Sequence, residues 1–489
     1  MKRRIVSCEM ESVIRRLCSI TLRRMQIVAF QPVALSTQPI TELSEKTAGN
    51  PLRTDSGLPG RHQVDVYNRA TTMTNRLAMS PDDQRSLADS FELSNLPVGF
   101  HDDPFPVYRA LRDHAPVKLM ADGSYFLTRY DDLIAVYKDT RTFSSDKKLE
   151  FKPKYGDSLL YEHHTTSLVF SDPPLHTRVR KLISGALTPR AIASMEDGLV
   201  RLVDSLLDRM EEKQRRREKI DLIEDFASAI PIEVIGNLLG VPTDERGPLR
   251  DWSLAILGAL EPVLSAEVFA TGNRAVAEFI DYLNNLIARR REAPGNPETD
   301  VLTRLIQGEA DGEKLSSKEL LHNCIFLLNA GHETTTNLIG NGLVSLCEYP
   351  AQRARLLESP ELIKTAVEEM LRFESSNQLG NRITTGPVSL GGVTMPAHTR
   401  LTLCIGAANR DPSQFDSPES FDVSRHPNRH LAFASGAHAC AGMSLARLEG
   451  QIAIGRLLRR FPGYALSDKP VRSGRVRFRG FLHIPATLS

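Results

Sequence analysis

The stretch that most constrains the fold of this chain begins at Ser316. Ser316 and Glu319 form an S-x-x-E capping box, the pattern that satisfies the first free N–H groups of a helix. Residues 320–347 then run without a proline, so nothing interrupts a helix over this length. Its middle, residues 325–328, is continuously apolar, which is typical of a buried helix. The sequence therefore predicts a central helix that crosses the whole domain.

The rest of the pattern predicts a mainly α fold with a minor β portion. Apolar residues recur at helical spacing in four other stretches, residues 192–210, 230–239, 252–260 and 276–287. Ser359 and Pro360 are typical of a cap and a first-turn proline, and they predict a helix that ends at Phe373. The last long helix is predicted over Met443–Arg460, before Phe461-Pro462-Gly463. Short β-type runs occur at residues 117–120, 125–128 and 382–403.

Composition excludes several classes of protein. The net charge of +1 over 489 residues gives no overall attraction to nucleic acid or to anionic membranes. No run of about 18 apolar residues is present, so a transmembrane helix is not expected. The six cysteines are irregularly spaced and include no C-x-x-C pair, which argues against a disulfide framework and fits a reducing compartment. We therefore expect a soluble, cytoplasmic, monomeric protein without a nucleic-acid partner.

Residues 1–85 are predicted to be an N-terminal extension to a folded domain at residues 86–489. Basic residues dominate its start, and residues 36–80 are rich in Ser, Thr, Asn, Gly and Pro with little periodicity. Such a stretch buries too little apolar area to offset the entropy of ordering it. A disordered tail and an overlong reading frame, with Met73 or Met79 as the start, are the simpler explanations. An Arg-rich transit peptide is the alternative.

A short glycine-containing motif surrounds Cys440, directly before the last predicted helix. In the segment FASGAHACAG, four residues follow the spacing F-x-x-G-x-x-x-C-x-G: Phe433, Gly436, Cys440 and Gly442. A thiolate that binds a metal needs nearby N–H donors and shielding from oxidants. Glycines let the backbone approach a flat cofactor closely, and the dipole of the following helix favours a negative sulfur. The pattern favours a ligating Cys440 over a buried free cysteine, which is the commoner fate of a lone one.

This segment resembles the cysteine-ligand loop of the cytochrome P450 superfamily, and three further motifs resemble the family in the same order. The resemblance covers residues 100–485. It implies the triangular, mainly α cytochrome P450 fold, with a long central helix and the cysteine loop before the last long helix. It also implies heme b (iron protoporphyrin IX) as the cofactor, with Cys440 as the axial ligand of the iron and with three residues close to the cofactor, Phe433, Gly436 and Gly442.

The second motif is AGHETTTN, residues 330–337, in the middle of the predicted central helix. The small side chain of Ala330 leaves space over a cofactor face, and an acid next to an alcohol can relay protons. By the resemblance, Glu333 and Thr334 are the catalytic pair that delivers protons to bound oxygen. A zinc-protease motif, H-E-x-x-H, is excluded because Thr336 stands where the second histidine is required.

The other two motifs are EEMLR and DPPLHTRVRKL. In the family the E-x-x-R pair is buried and ties its helix to the loop before the cysteine, which implies a structural role for Glu369, Arg372 and Arg425. Heme propionates need cationic or N–H partners, and by the resemblance these are His176, Arg180, Arg382 and His438. Two departures from the family pattern concern fine geometry: Ala434 replaces a glycine and Leu187 replaces a phenylalanine.

The resemblance implies a monooxygenase that inserts one atom of O2 into a small hydrophobic molecule, as in a hydroxylation. The sequence contains no nucleotide fingerprint or iron–sulfur run, so electrons are expected from another protein. By the resemblance, this partner is a small acidic ferredoxin or flavodoxin with its reductase. The docking patch of this partner is predicted at the basic residues Arg178, Lys181, Arg425, Arg429 and Arg447. An ordinary solvated face explains these charges equally well.

Two alternatives keep the fold and change the function. One is a peroxide-driven peroxygenase or a redox-neutral isomerase or dehydratase, and the other is a non-catalytic heme carrier or sensor. None of these needs a proton relay for O2, so the pair of Glu333 and Thr334 argues against them.

The substrate pocket is predicted at residues 144–169, at residues 252–269 and along the outer part of the central helix. Loops vary most freely in such places, so the sequence does not identify the substrate. A terpenoid, steroid, fatty acyl or polyketide guest is suggested by apolar residues in or beside these segments: Phe143, Leu159, Tyr161, Leu254, Ile256 and Phe269.

Overall fold

The central helix is the axis around which the fold is built. In the computed structural model, which describes residues 79–489 apart from residue 299 and residues 311–312, this helix spans Ser317–Glu348. The capping box forms as predicted. The Ser316 hydroxyl accepts from the N–H of Glu319, and the Glu319 carboxylate accepts from the N–H of Ser316. Most residues of the helix are buried, so the other elements surround it.

Helices make up most of the described chain, which confirms the predicted mainly α class. In chain order they are α1 (Pro81–Ser90), α2 (Phe105–His114), α3 (Tyr130–Lys138), α4 (Lys148–Tyr155), α5 (Leu159–Thr166), α6 (Leu175–Ala186), α7 (Pro189–Arg215), α8 (Ala229–Leu238), α9 (Leu249–Gly258), α10 (Ala266–Glu292), α11 (Val301–Gln307), α12 (Ser317–Glu348), α13 (Pro350–Glu358), α14 (Ile363–Phe373), α15 (Ile405–Ala408) and α16 (Met443–Arg460). The last long helix, α16, has the predicted bounds.

The β portion is minor, as predicted. Its strands are β1 (Val117–Leu119), β2 (Tyr125–Leu127), β3 (Phe143–Ser144), β4 (Ile220–Asp221), β5 (Glu309–Ala310), β6 (Glu313–Lys314), β7 (Leu379–Thr384), β8 (Val388–Leu390), β9 (Val393–Met395), β10 (Arg400–Cys404), β11 (Ala465–Leu466), β12 (Val471–Arg472), β13 (Phe481–His483) and β14 (Pro485–Thr487). The main sheet has the order β1-β2-β10-β7-β3, and only its β2–β10 pair is parallel. Arg382 lies opposite Leu401 in this sheet.

The predicted start of α14 is wrong in detail. The Ser359 side chain accepts no capping hydrogen bond, and residues Pro360–Leu362 form a tight 3₁₀ turn. The α-helix begins only at Ile363, because the turn that starts at Pro360 uses shorter-range bonds before the helix proper. The predicted end at Phe373 agrees with the structure.

The first described helix bears on the predicted boundary after residue 85. Ser80 caps α1, which starts at Pro81 and buries Ala88 among the aromatic side chains of α2 and β2. The folded chain therefore includes the last few residues of the predicted extension. Residues 1–78, which make up the rest of that extension, lie outside the described residues.

Three hydrophobic clusters hold the described chain together. The largest surrounds α12 and draws on α5 to α10, α14 and α16. A second cluster joins α1 and α2 to one face of the main sheet. A third joins α3 to the strands β2 and β10 and to the loop at Phe415. Between α12 and the loop that precedes α16, this packing leaves space for the site described next.

Candidate active site

Cys440 lies in a tightly turned loop at the N-terminal side of α16. Its backbone N–H donates to the carbonyl of Phe433 at 2.9 Å, which closes the loop. Gly436 has a φ of 69°, and a Cβ there would lie 2.2 Å from the carbonyl oxygen of Tyr137, so only glycine fits. Ala434 also has a positive φ, of 56°, although it carries a Cβ.

Two kinds of influence act on the pKa of the Cys440 thiol in opposite directions. Burial raises the pKa of the thiol, whereas the N–H of Gly442 and the charges of Arg180 and Arg447 lower it. The thiol is partly accessible, and it lines an internal cavity. A metal at this point would keep the sulfur deprotonated, because a coordinating thiol loses its proton outright.

The cavity has a volume of about 330 Å³, which lies in the range of small-molecule sites. The middle of α12 forms one wall, where Ala330 is exposed although its neighbours Asn329 and His332 are buried. Thr334 also lines the cavity, and its hydroxyl donates to the Ala330 carbonyl at 2.8 Å. The cavity therefore has the thiol loop on one side and the small residues of α12 on another.

Glu333 faces away from this cavity, unlike its neighbour Thr334. It is 4% exposed, does not line the cavity, and is paired with Arg475, whose guanidinium donates to Oε1 at 2.7 Å. Arg475 also donates to the carbonyl of Leu254 at 2.8 Å, in the middle of α9. Burial raises the pKa of Glu333 to about 7, against the lowering effect of Arg475. A carboxyl group with this pKa can both take up and release protons near neutral pH.

The four residues assigned to the propionates from the sequence lie together on the wall of the cavity: His176, Arg180, Arg382 and His438. The rings of His176 and His438 are 3.9 Å apart between centroids. Burial lowers the pKa of His438 to about 3, helped by Arg382, so this ring is neutral. The Nε2 of His176 and the Nε of Arg382 are buried without a hydrogen-bond partner among the described residues.

These residues fit a heme. The Cys440 thiol and the small side chain of Ala330 line the same cavity. The unpartnered nitrogens of His176 and Arg382 on its wall could bind an anionic group such as a propionate. A Cβ at Gly442 would meet no atom within 4 Å, so the loop leaves room for a flat group beside the sulfur. Unpaired buried polar atoms are rare in proteins unless a ligand or water satisfies them. Phe433 lines the same cavity.

Glu369 and Arg372 form a fully buried bidentate pair with two bonds of 2.8 Å. Arg372 continues from α14 to carbonyls of the segment before the cysteine loop, at Asn409, Pro418 and Ser420. Arg425 donates to Glu369 from that same segment at 3.1 Å. The pair thus joins α14 to the segment that leads into the Cys440 loop.

Most of the basic residues assigned to a docking patch are engaged within the chain. Arg425 is only 12% exposed and binds Glu369, and Arg447 forms a bidentate pair with Glu368 at 2.6 and 2.8 Å. Arg178 is paired with Glu319 at the start of α12, and Lys181 also has an interaction within the chain. Arg429 is exposed. Arg425 is therefore better described as part of the buried network than as a docking residue.

The predicted substrate segments reach the cavity, but most of the named apolar residues do not. Ile256 lines it. Phe143 lies in β3 and packs into the third hydrophobic cluster. The other four named side chains also lie outside the cavity wall: Leu159, Tyr161, Leu254 and Phe269. Sequence reasoning missed the polar lining residues His163, His164 and Asn329. Only the adjacent histidine pair could have drawn attention to them.

Comparison with known proteins places these features in context. The cytochrome P450 family model matches residues 100–473. The biotin biosynthesis cytochrome P450 of Bacillus subtilis is 36% identical over 392 residues, which cover 79% of this chain and 97% of that protein. The 6-deoxyerythronolide B hydroxylase of Saccharopolyspora erythraea is 35% identical over 402 residues, which cover 80% of this chain and 97% of that protein.

Solved structures give the same result. The crystal structure of P450BioI in complex with hexadec-9Z-enoic acid ligated acyl carrier protein aligns with a TM-score of 0.75 at 36% identity, over 80% of this chain and all of that one. The crystal structure of CalO2 aligns with a TM-score of 0.76 at 30% identity, over 82% of this chain and 99% of that one. Among the described residues, no helix has both the length and the apolar character needed to cross a bilayer.

Proposed function

The chain belongs to the cytochrome P450 family, and we propose that it is a monooxygenase that inserts one atom of O2 into a small hydrophobic molecule with electrons from a separate redox protein. Members of this family are oxidoreductases that bind heme b. The observation that carries the proposal is the cavity itself. Its wall includes the Cys440 thiol and, from the middle of α12, Ala330 and Thr334.

The residues that would hold the heme divide into two groups. Cys440 would bind the iron, and three residues of its loop are proposed to lie close to the cofactor: Phe433, Gly436 and Gly442. The propionates are assigned to His176, Arg180, Arg382 and His438. When bound, the iron–thiolate group supplies the electron density that promotes cleavage of the O–O bond.

Thr334 and Glu333 are the proposed proton-transfer residues. Thr334 faces the cavity and offers a hydroxyl that now donates to the Ala330 carbonyl, so it can turn to donate to an oxygen in the cavity instead. Glu333, one residue before, is held by Arg475 on the far side of α12. With a pKa near 7 it can replace a proton that Thr334 gives up, provided that water connects the two side chains.

The electron donor is proposed to be a small acidic ferredoxin or flavodoxin with its reductase. The support comes from basic residues near the Cys440 loop, of which Arg429 is exposed and Arg447 is 31% exposed. Charge complementarity of this kind raises association rates and makes them depend on ionic strength. The proposed docking surface comprises the exposed Arg429 together with Arg447, whose pair with Glu368 leaves it partly exposed.

The substrate is proposed to be a terpenoid, steroid, fatty acyl or polyketide molecule. Apolar residues dominate the cavity wall, including Ile235, Leu238 and Ile256. Two relatives are named as hydroxylases of 6-deoxyerythronolide B and of vitamin D(3), a third is named for polyketide biosynthesis, and one solved relative is named in complex with hexadec-9Z-enoic acid ligated acyl carrier protein. A spectral binding screen should therefore include steroids, free fatty acids and the same acids attached to acyl carrier protein.

The test of the proposed function is the ligand of the iron. We expect the reduced carbon monoxide complex of the wild type to show the red-shifted absorbance of a thiolate ligand, and Cys440→His to lose that shift while the protein still binds heme. Cys404→Ser is the matched control, because Cys404 is buried in the main sheet and does not line the cavity. An unchanged spectrum in Cys440→His would show that the axial ligand is misassigned.

Turnover distinguishes the remaining alternatives. The proposed monooxygenase requires NADPH, O2 and surrogate ferredoxin partners, whereas a peroxygenase is supported by hydrogen peroxide alone. An isomerase or dehydratase needs neither oxidant, and a heme carrier turns over no substrate. Product that forms with peroxide but never with O2 and electrons would replace the proposal with the peroxygenase.

A further inference from the structure

The cavity contains a set of polar side chains that the proposed function does not use. Asn329, His163 and His164 line it, and each is at most 2% exposed. Within the described residues, both amide atoms of Asn329 lack a hydrogen-bond partner, as do the Nδ1 of His163 and the Nε2 of His164. A buried polar atom without a partner is destabilising, and a bound molecule that pairs with it recovers that loss.

Asn329 occupies a defined place relative to the reacting end of the cavity. It lies on α12 directly before Ala330 and five residues before Thr334. With a rise of 1.5 Å per residue, its Cα is about 7 to 8 Å from that of Thr334 along the helix axis. Phe326 lies one turn earlier on α12 and also lines the cavity. Along the helix axis, Asn329 therefore lies between Phe326 and Thr334, and all three residues line the cavity.

The charge of the surrounding groups selects the kind of partner. Arg477 lines the cavity, but its guanidinium already donates to the carbonyls of Leu260 and Leu379 at 3.1 and 2.7 Å and to Asn381. Burial lowers the pKa of His164 to about 3 and that of His163 well below its usual value, so both rings are neutral. A charged ligand group beside Asn329 would meet two neutral rings and a guanidinium whose three nitrogens already donate within the chain, so its desolvation would be poorly compensated.

We infer that Asn329 is a specificity-determining residue that hydrogen-bonds a neutral oxygen, a hydroxyl or a carbonyl, of an otherwise apolar substrate. This inference rests on the proposed function and names the chemistry of its substrate more closely. The amide can donate to a carbonyl and can accept from a hydroxyl, so it recognises either group. His163 and His164 offer further neutral partners for a substrate with a second polar group.

The test uses ligands that anchor at one end. 1-Alkylimidazoles, from butyl to decyl, bind heme iron through the ring nitrogen, and their ω-hydroxyl counterparts add one oxygen at increasing reach. We expect the hydroxyl to strengthen spectral binding by roughly three- to ten-fold at one favoured chain length. Asn329→Leu should abolish that gain and leave the affinity for the alkylimidazole equal or higher. Phe326→Leu is the control, since it changes apolar contact alone and should keep the gain.

The outcomes separate this inference from the function beneath it. Imidazoles that bind with no hydroxyl gain at any length, or a gain that survives Asn329→Leu, overturn the role of Asn329 and leave the monooxygenase in place. A protein that forms no imidazole complex overturns the proposed function and this inference together. If Asn329→Leu fails to bind heme, the wild type is tested with alkylimidazoles that carry an ω-carboxyl group in place of the ω-hydroxyl. A carboxylate that binds as tightly as the hydroxyl would contradict the inference that Asn329 binds a neutral oxygen.

Discussion

Ala434 carries backbone strain inside the loop that presents Cys440. Its φ of 56° lies in the left-handed region, where the Cβ of an L-residue approaches the following carbonyl oxygen. Glycine adopts this conformation without that contact, and glycine is what the family resemblance leads one to expect at this position. The structure thus gives a physical meaning to a departure that the sequence showed only as a small substitution.

Ala434→Gly should stabilise the protein. Removing the left-handed strain should raise the free energy of unfolding by about 1 to 2 kcal/mol. The greater freedom of glycine in the unfolded chain should lower it by about 0.5 to 1 kcal/mol. We expect a net gain of about 0.5 to 1 kcal/mol in the free energy of unfolding of the heme-bound protein, measured by denaturant titration. Gly436→Ala is the opposite control, because its Cβ would meet the Tyr137 carbonyl oxygen at 2.2 Å. A destabilised Ala434→Gly would mean that the alanine methyl makes a packing contact worth more than the strain.

The raised pKa of Glu333 makes stability depend on pH in a known direction. The folded protein holds the proton of this carboxyl up to about pH 7, whereas the unfolded chain releases it near the ordinary glutamate pKa of 4.5. Between these values the native state binds more protons than the unfolded state. The contribution is therefore present at low pH and is lost as the pH rises through 7.

Glu333→Gln should remove this dependence. From the two pKa values, the wild type should lose about 2 kcal/mol of stability between pH 5 and pH 7 through this one group. The variant should not show this loss, so the difference in the free energy of unfolding between the two proteins should change by about 2 kcal/mol from pH 5 to pH 7. Equal slopes of stability against pH for both proteins would show that Glu333 is ionised in the native state throughout this range.

At the scale of elements, the contacts of Glu369 and Arg372 fasten α14 to the segment before the cysteine loop. Arg372 uses its fork for Glu369 and for three backbone carbonyls. Glu369 also accepts from the Asp422 N–H at 2.9 Å, so each partner is fully used. A lysine has one point charge in place of the planar fork and cannot reproduce these bonds.

Arg372→Lys should therefore weaken the fold and heme retention together. Breaking a buried pair typically costs about 3 to 5 kcal/mol, and the retained charge of lysine should reduce the loss to about 2 to 3 kcal/mol. Arg355→Lys is the matched control, because Arg355 is half exposed in its pair with Asp422 and such surface pairs contribute at most about 1 kcal/mol. The measurements are thermal unfolding and the heme-to-protein absorbance ratio. Equal small effects in both variants would contradict a structural role for the buried pair.

Sequence patterns predicted the elements of this chain better than the lining of its cavity. The capping box at Ser316 and the stop at Phe461 act over a few neighbouring residues, so local reasoning located α12 and α16. Whether Phe143 or His163 lines the cavity depends on how β3 and α5 are turned by distant packing. No spacing along the chain records that rotation. The family motifs were informative because they name residues that only the folded chain brings together.

At the scale of the whole molecule, a cavity adjoins the largest hydrophobic cluster, against the middle of α12 and the loop before α16. Its wall includes unpaired polar atoms of His176 and Arg382, whose pairing depends on a bound group. Stability should therefore be shared unequally between the elements that line the cavity and the β1-β2-β10 side of the main sheet, whose strands pack in a hydrophobic cluster and do not line the cavity.

Removal of heme should reveal that division. We expect hydrogen exchange in the heme-free protein to rise most in the Cys440 loop, in α6 and in the middle of α12. The β2–β10 pair should remain protected, since its hydrogen bonds and apolar contacts lie outside the cavity. Addition of hemin should restore protection. A uniform rise over all elements would show that the chain unfolds as one unit without its cofactor.

The segment after residue 473 connects parts of the molecule that are far apart in sequence. Arg475 holds Glu333, Arg477 and Phe478 line the cavity, and the carbonyl of Ser489 accepts from the N–H of Gly463 at 2.6 Å. A protein shortened to the stretch that matches the family model would lose this wall along with the counter-ion of its proposed proton donor. For anyone engineering this enzyme, a substitution after residue 473 therefore changes the lining of the cavity or the partner of Glu333, although it lies outside the stretch that matches the family model.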